Sequence, residues 1–202
     1  MKKENIWEIM PVNPPYLNKK CTRCNNNTFY CSEKFRMNAQ KKNIDVWLIY
    51  RCSSCQNIYN MTIFSRTKSA LLEKDLFNKF SENNKVMAWE YAFSPLIGQK
   101  NKVEIDYGTV EYQTTFEGAS LEDVLNFDKS IIVIRINYPF DFNLKLSSLA
   151  RSFFNISIRQ LNHLIEANVI SVQNNYLNKK QKVRNGDVVL INIARYKAVC
   201  DI

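Results

Sequence analysis

The chain has 202 residues, 46% hydrophobic and 23% charged, with a formal net charge of +9 and an isoelectric point near 9.2. That apolar content can bury a core in one or two domains plus a small metal module, and the basic balance points to a polyanionic partner. Only four glycines occur, so a Gly-rich phosphate or methyl-donor loop is excluded.

Met1 to Glu8 lacks the apolar core of a secretory signal, and the longest apolar stretch, around Ile131–Ile136, is strand-length and broken by Arg135. No membrane span is expected, and the protein is placed in the cytoplasm, where thiols stay reduced.

Cys21-Thr22-Arg23-Cys24, a spacer of 27 residues and Cys52-Ser53-Ser54-Cys55 form the most informative pattern. Each CxxC bends into a knuckle that points two thiolates at one spot, and two knuckles together make the tetrahedral sulfur cage that zinc prefers. Cys21, Cys24, Cys52 and Cys55 therefore predict a structural zinc ribbon holding Zn2+. Between the knuckles, Phe29, Cys31, Phe35 and Met37 alternate with polar residues as in a half-buried strand, with Glu33 out of phase. Residues 38–43 read as a turn, and Ile44–Tyr50 as a second strand delivering the chain to Cys52. Ile58–Phe64 predicts a third. Cys31 reads as a small core hydrophobe, and Cys200 has no partner pattern.

Charge divides the chain. Residues 1–70 carry 12 basic against 4 acidic side chains, residues 71–130 carry 6 against 11, and residues 131–202 carry 10 against 4. The predicted domains are accordingly 1–70, the ribbon; 71–140, an acidic middle segment of two helices then strands; and 141–202. In the middle segment, Leu72, Leu76 and Phe80 recur at helical spacing, and Val86–Phe93 predicts a second helix ending before Ser94-Pro95. Val103–Tyr107 and Thr109–Phe116 predict a hairpin around Gly108. Trp89, Tyr91 and Phe93 are spread around their helix and are assigned to core packing rather than to base stacking.

From Leu144, the apolar residues Leu146, Leu149, Phe153 and Phe154 predict one helix face. Ser157-Ile158-Arg159-Gln160 then forms a capping box, in which the hydroxyl accepts an orphan amide while the glutamine reaches back. Ile158, Leu161, Leu164 and Ile165 are the expected buried stripe of the second helix, with Arg159, Asn162, His163 and Glu166 on the other face. Short strands follow, around a turn at Gln173–Asn175 and an Asn185-Gly186-Asp187 turn into a final strand, Val188–Ile193.

Leu149-Ala150-Arg151, Ile156–Gln160, Leu164-Ile165-Glu166, Val172 and Val183–Val188 resemble the alpha-L RNA-binding motif of a small-subunit ribosomal protein, pseudouridine synthases and tyrosyl-tRNA synthetases. The resemblance covers about residues 143–193. It implies an RNA face of Lys145, Arg151, Arg159, His163, Lys179, Lys180 and Lys182. Asn143 and Ile158 stand where that family usually has arginine. Trp7, Pro11, the cysteine pairs, Cys31–Ala39 and Asp45–Tyr50 resemble an uncharacterised bacterial family, a domain of unknown function, which implies no activity.

The expected fold class is α+β: an N-terminal zinc ribbon, a mixed helix and hairpin middle segment and a C-terminal alpha-L RNA-binding-like domain. His163 lacks metal-ligand spacing to the cysteines, and Glu122-Asp123 suits a helix start, so no enzyme is expected. The function expected is non-catalytic binding of structured RNA, ribosomal or transfer, with no membrane partner. The alternative is a zinc-stabilised protein-interaction adaptor whose RNA motif has decayed. Oligomeric state and the particular partner stay open.

Overall fold

A computed structural model of the chain describes residues 5–118, 131–173, 175–178 and 180–200. Glu122 and Asp123 lie outside the described residues, as does the side chain of Cys200. Among the described residues the fold is mixed α+β, with two sheets and six α-helices. The strands are β1 (Asn5–Pro11), β2 (Tyr16–Asn18), β3 (Thr28–Gln40), β4 (Asn43–Cys52), β5 (Ile58–Lys68), β6 (Glu104–Asp106), β7 (Tyr112–Glu117), β8 (Ile131–Asn137), β9 (Ile170–Val172), β10 (Asn175–Tyr176) and β11 (Val188–Asn192). The helices are α1 (Lys74–Ser81), α2 (Lys85–Phe93), α3 (Pro95–Asn101), α4 (Leu146–Phe154), α5 (Ile158–Glu166) and α6 (Ile193–Cys200). No described helix is long and apolar enough to cross a membrane.

Two compact units result, Pro11–Glu111 and Met1–Met10 with Tyr112–Ile202. The charge boundaries near 70 and 140 do not coincide with them. Helices α1 to α3 belong with the cysteine pairs because their apolar residues cover the sheet that those pairs terminate.

The first unit is an antiparallel sheet in the order β5-β4-β3-β2-β6. Along β4, Ile44, Val46, Leu48, Tyr50 and Cys52 are buried, while on the other face Asp45, Trp47 and Arg51 stay partly exposed and Ile49 alone is buried, close to the period-two pattern of a strand with one covered face. Helices α1 and α2 supply the cover. Phe35 meets Phe80 edge to face at 4.9 Å between ring centroids, Phe64 meets Phe80 at 5.8 Å, and Tyr91 stacks on Phe80 at 5.9 Å. Trp89 and Phe93 are buried as core residues. Helix α2 starts where the Asn84 side chain accepts the Met87 amide, and it stops at Ser94 because Pro95 opens α3.

Two details of this sheet were not expected. The out-of-phase Glu33 marks a bulge between Cys31 and Lys34, with φ of 58° at Glu33, and its carboxylate accepts the Trp89 indole N–H at 2.6 Å. Helix α3 seals the edge strand β5. The Asn101 side chain both accepts from the Thr62 amide and donates to the Thr62 carbonyl, while Lys100 donates to the Ile63 carbonyl.

The expected hairpin over 103–116 does not form. β6 pairs with β2, whereas β7 joins the other sheet. The Asp106 carboxylate accepts the Gly108 amide, and that turn starts a 3₁₀ helix over Tyr107–Thr109 that carries the chain away from β6. The expected turn at 38–43 is also shorter, since β3 runs on to Gln40 and reverses through Lys41, at φ 55°.

The second unit's sheet has the order β10-β9-β11-β8-β1-β7, with β1 parallel to β8. Ile132, Ile134 and Ile136 of β8 point to a core shared with Trp7, Val189, Ile191, Leu149 and Leu161. Trp7 packs edge-on against Phe153 at 5.0 Å. The Ser157 and Gln160 capping box is present, with Ser157 Oγ accepting the Gln160 amide and Gln160 Oε1 accepting the Ser157 amide. At the Asn185-Gly186-Asp187 turn, Gly186 has φ 83°, a value that favours glycine, and its amide bonds the Ile136 carbonyl. After β11 the chain forms α6, where only a strand through Ile193 was expected. Tyr196 on α6 stacks on Phe154 at 5.4 Å, so this last helix closes the core.

Ile158 corrects the expected stripe of α5. It is 55% exposed, whereas Leu161 and Leu164 are buried, because the first helical residue lies at the helix end, beyond the packed turns. Leu161→Ala should accordingly cost about 2–5 kcal/mol in urea unfolding of this unit, and Ile158→Ala less than about 0.5 kcal/mol.

Candidate functional site

The two cysteine pairs sit on equivalent knuckles. One joins β2 to β3, and the other joins β4 to β5. In the first, the Cys21 amide donates to the Asn26 carbonyl at 2.9 Å; in the second, the Cys52 amide donates to the Asn57 carbonyl at 2.9 Å. Each asparagine stands two residues after the second cysteine of its knuckle, so the repeated pattern is C-x-x-C-x-N. That repeat is visible in the sequence, and reading it only as paired CxxC motifs misses the asparagines.

The asparagine side chains cross between knuckles. Asn26 donates to Cys52 Sγ at 3.3 Å and to Ser53 Oγ at 2.7 Å, and Asn57 donates to Thr22 Oγ1 at 3.1 Å and lies 3.7 Å from Cys21 Sγ. Each therefore ties its own loop to a sulfur of the opposite one. The Ser53 amide, bonded to the Thr28 carbonyl, adds a backbone link.

The sulfurs of Cys21, Cys24, Cys52 and Cys55 all lie within 4.8 Å of one another, with Cys21 to Cys55 and Cys24 to Cys52 both at 3.6 Å. Disulfide sulfurs would be about 2.05 Å apart. Four sulfurs bound tetrahedrally at about 2.3 Å from one zinc would be roughly 3.8 Å apart. The cluster is close enough to hold a metal ion, and its all-sulfur donor set is compatible with zinc. Cys21 and Cys52 are buried, Cys24 is half-buried and Cys55 is exposed.

Electrostatics at the cluster favour thiolates where amides converge. The Cys55 amide, with help from Asn26, holds the Cys52 thiol down at about 6, and the Arg23 amide lowers Cys21. Cys55 goes the other way. Although the Asn57 amide works to lower it, burial and hydrogen bonding to the other three sulfurs, which holds its proton in place, push it up to about 12. A divalent cation supplies the charge that releases such a proton.

Cys31 stands apart from the cluster. It is buried in β3 opposite Tyr50, and burial pushes its thiol up to about 12.

The residues implied as an RNA face are distributed over α4, α5 and the loop before β11. Lys145 at the start of α4 pairs through the backbone with Lys182, and the Lys182 ammonium bonds the Asn143 side chain. Asn143 itself has φ 62°, a conformation asparagine tolerates better than arginine. Arg151 donates from Nε to the Ile156 carbonyl at 3.4 Å, bracing the turn between α4 and α5. Arg159 and His163 are exposed one turn apart on α5, and Lys180 is exposed in the loop. Lys179 lies outside the described residues.

Over residues 37–176 the sequence matches the family described as "Protein of unknown function (DUF1062)". The chain belongs to this family. The matched span runs from β3 to β10 and includes the second knuckle. No curated protein and no solved structure matches the chain.

The Cys52 shift sets a pH dependence in metal-free protein. Its folded value, about 6, lies below the ordinary 9.0, so its contribution to stability is complete above pH 9 and disappears as pH falls through 6. Thiolate absorbance near 240 nm should therefore retain a component titrating near pH 6 that Cys52→Ser removes, and Cys31 should resist iodoacetamide at pH 8 until the protein is unfolded.

Proposed function

We propose that Cys21, Cys24, Cys52 and Cys55 bind one structural Zn2+ as a zinc ribbon, and that residues 143–193 are an alpha-L RNA-binding-like domain that docks the protein on structured RNA, ribosomal or transfer. The role is non-catalytic and cytoplasmic. The observation that carries the zinc reading is the sulfur spacing of 3.6 Å between knuckles, with no sulfur pair near bonding distance. Support for the RNA reading comes from the backbone bridge between Lys145 and Lys182, which brings the start of α4 beside the lysine loop, and from the exposure of Lys145, Arg159, His163, Lys180 and Lys182. Phosphate contacts from such cations give shape- and backbone-directed binding.

One observation favours a second reading, a zinc-stabilised protein-interaction adaptor. Ile158 is 55% exposed at a position where the resembled motif usually has arginine, and an exposed apolar side chain suits a protein partner better than a phosphate.

Elemental analysis should find one zinc per chain, and Asn26→Ala or Asn57→Ala should weaken zinc about 10–100-fold in a chelator competition while leaving the stoichiometry at one. Protein without zinc would remove the metal assignment. In filter binding to transfer and ribosomal RNA, Lys180→Ala and Lys182→Ala should each reduce the salt slope by about one unit, with Arg159→Ala lowering affinity further. Weak binding that ignores these changes would favour the adaptor.

A further inference from the structure

The sheet of the first unit has two unlike faces. Helices α1 and α2 cover the one that carries Phe35, Leu48 and Phe64. The other is built by three successive rungs across β3, β4 and β5: Arg36, Trp47 and Thr62; Lys34, Ile49 and Asn60; Tyr30, Arg51 and Ile58. Partners on a rung share a face, and β4 residues 47, 49 and 51 alternate with Leu48 and Tyr50 of the helix side, so all nine residues lie on the side away from α1 and α2, with Ile49 of the middle rung buried.

Each rung thus contributes one cation. Lys34 and Arg36 are exposed, Arg51 is half-buried, and among the described residues none of the three forms an ion pair or a side-chain hydrogen bond. Trp47 stands across the ladder from Arg36 and Tyr30 across from Arg51, both half-buried. The Tyr30 ring is steadied by its hydroxyl, which donates to Gln56 at 2.6 Å, and by Tyr16 at 6.5 Å between centroids. Glu33, the carboxylate nearest in sequence, turns to Trp89 on the helix side. Asp45, beyond Trp47 on β4, accepts the Arg66 amide.

Lys34 and Arg36 stand two residues apart on β3, about 7 Å along the strand, close to the spacing of successive phosphates in an extended nucleic-acid strand, and Arg51 adds a third cation from the neighbouring β4. Aromatic rings beside two of the cations offer π-faces on which unpaired bases stack. An acidic protein surface would complement the charge but would leave the rings without that role.

We propose that this helix-free sheet face binds a single-stranded stretch of RNA, with Lys34, Arg36 and Arg51 on phosphates and Trp47 and Tyr30 stacking on bases. Only the choice of RNA over DNA rests on the function proposed above; the surface itself is separate from residues 143–193.

Fluorescence anisotropy of the full zinc-loaded chain with labelled rU12 tests it. Wild-type protein should bind at low salt, and Lys34→Gln/Arg36→Gln/Arg51→Gln should weaken binding at least tenfold and flatten the log–log salt slope by about 2. Trp47→Ala should weaken it about tenfold without changing the slope, Trp47→Phe should restore most of the loss, and Lys145→Gln/Arg159→Gln/Lys182→Gln should weaken rU12 binding less than the sheet-face triple variant does. Circular dichroism and zinc content show that each variant is folded. No rU12 binding by wild type, undiminished binding by the sheet-face triple variant, or competition by oligoglutamate as strong as by unlabelled rU12 would overturn the proposal. Loss of transfer RNA binding in the Lys145 set alone bears on residues 143–193 and not on this face.

Discussion

Pairing of Phe29 with Cys52 in the β3–β4 ladder decides both where the second knuckle meets the first and which side chains of the sheet face the helices. Because side chains alternate along a strand, a slip of one residue would carry Cys52 away from Cys24 and turn Leu48 and Val46 out to solvent. The register is therefore held from both ends. At one end the asparagines of each knuckle bond the opposite loop, and at the other a tight reversal through Lys41 closes the hairpin. The bulge at Glu33 absorbs the mismatch between them, and Trp89 fixes the bulge by donating to its carboxylate.

The cluster geometry follows from that register. Amides aimed at Cys21 and Cys52 lower those thiols, while the proximity of four sulfurs raises Cys55, so the site is prepared for thiolate ligation only together with a cation. Asn26 and Asn57 do for these sulfurs what outer hydrogen-bonding partners do for metal ligands generally, which is to orient them and spread their charge. Burial has the opposite effect on Cys31, keeping it a neutral core group.

The second unit relies on a different device. β1 enters parallel to β8 and brings Trp7 to a core otherwise built from residues beyond Tyr112. Chain-distant association of this kind requires no local signal in the first ten residues beyond an apolar alternation, and the energy comes from burying Trp7 and Ile9. Local signals were sufficient for α4 and α5, where apolar spacing and a capping box specify start and phase.

Sequence alone determined the cysteine set, the β3–β4–β5 ladder, α2 and the capped α5, because each is written in residues close along the chain: paired CxxC spacing, alternation by two, periodicity near 3.6 and Ser157 with Gln160. Glu33 was legible as an irregularity but not as a bulge, since its partner Trp89 lies 56 residues away. Only the tertiary structure decided that β6 and β7 part into different sheets, that β1 belongs with β8, that Asn26 and Asn57 cross between knuckles, and that Lys34, Arg36 and Arg51 share one face with Trp47. Those facts depend on which strands lie side by side, a choice made by burial of the whole core rather than by any segment's own preference.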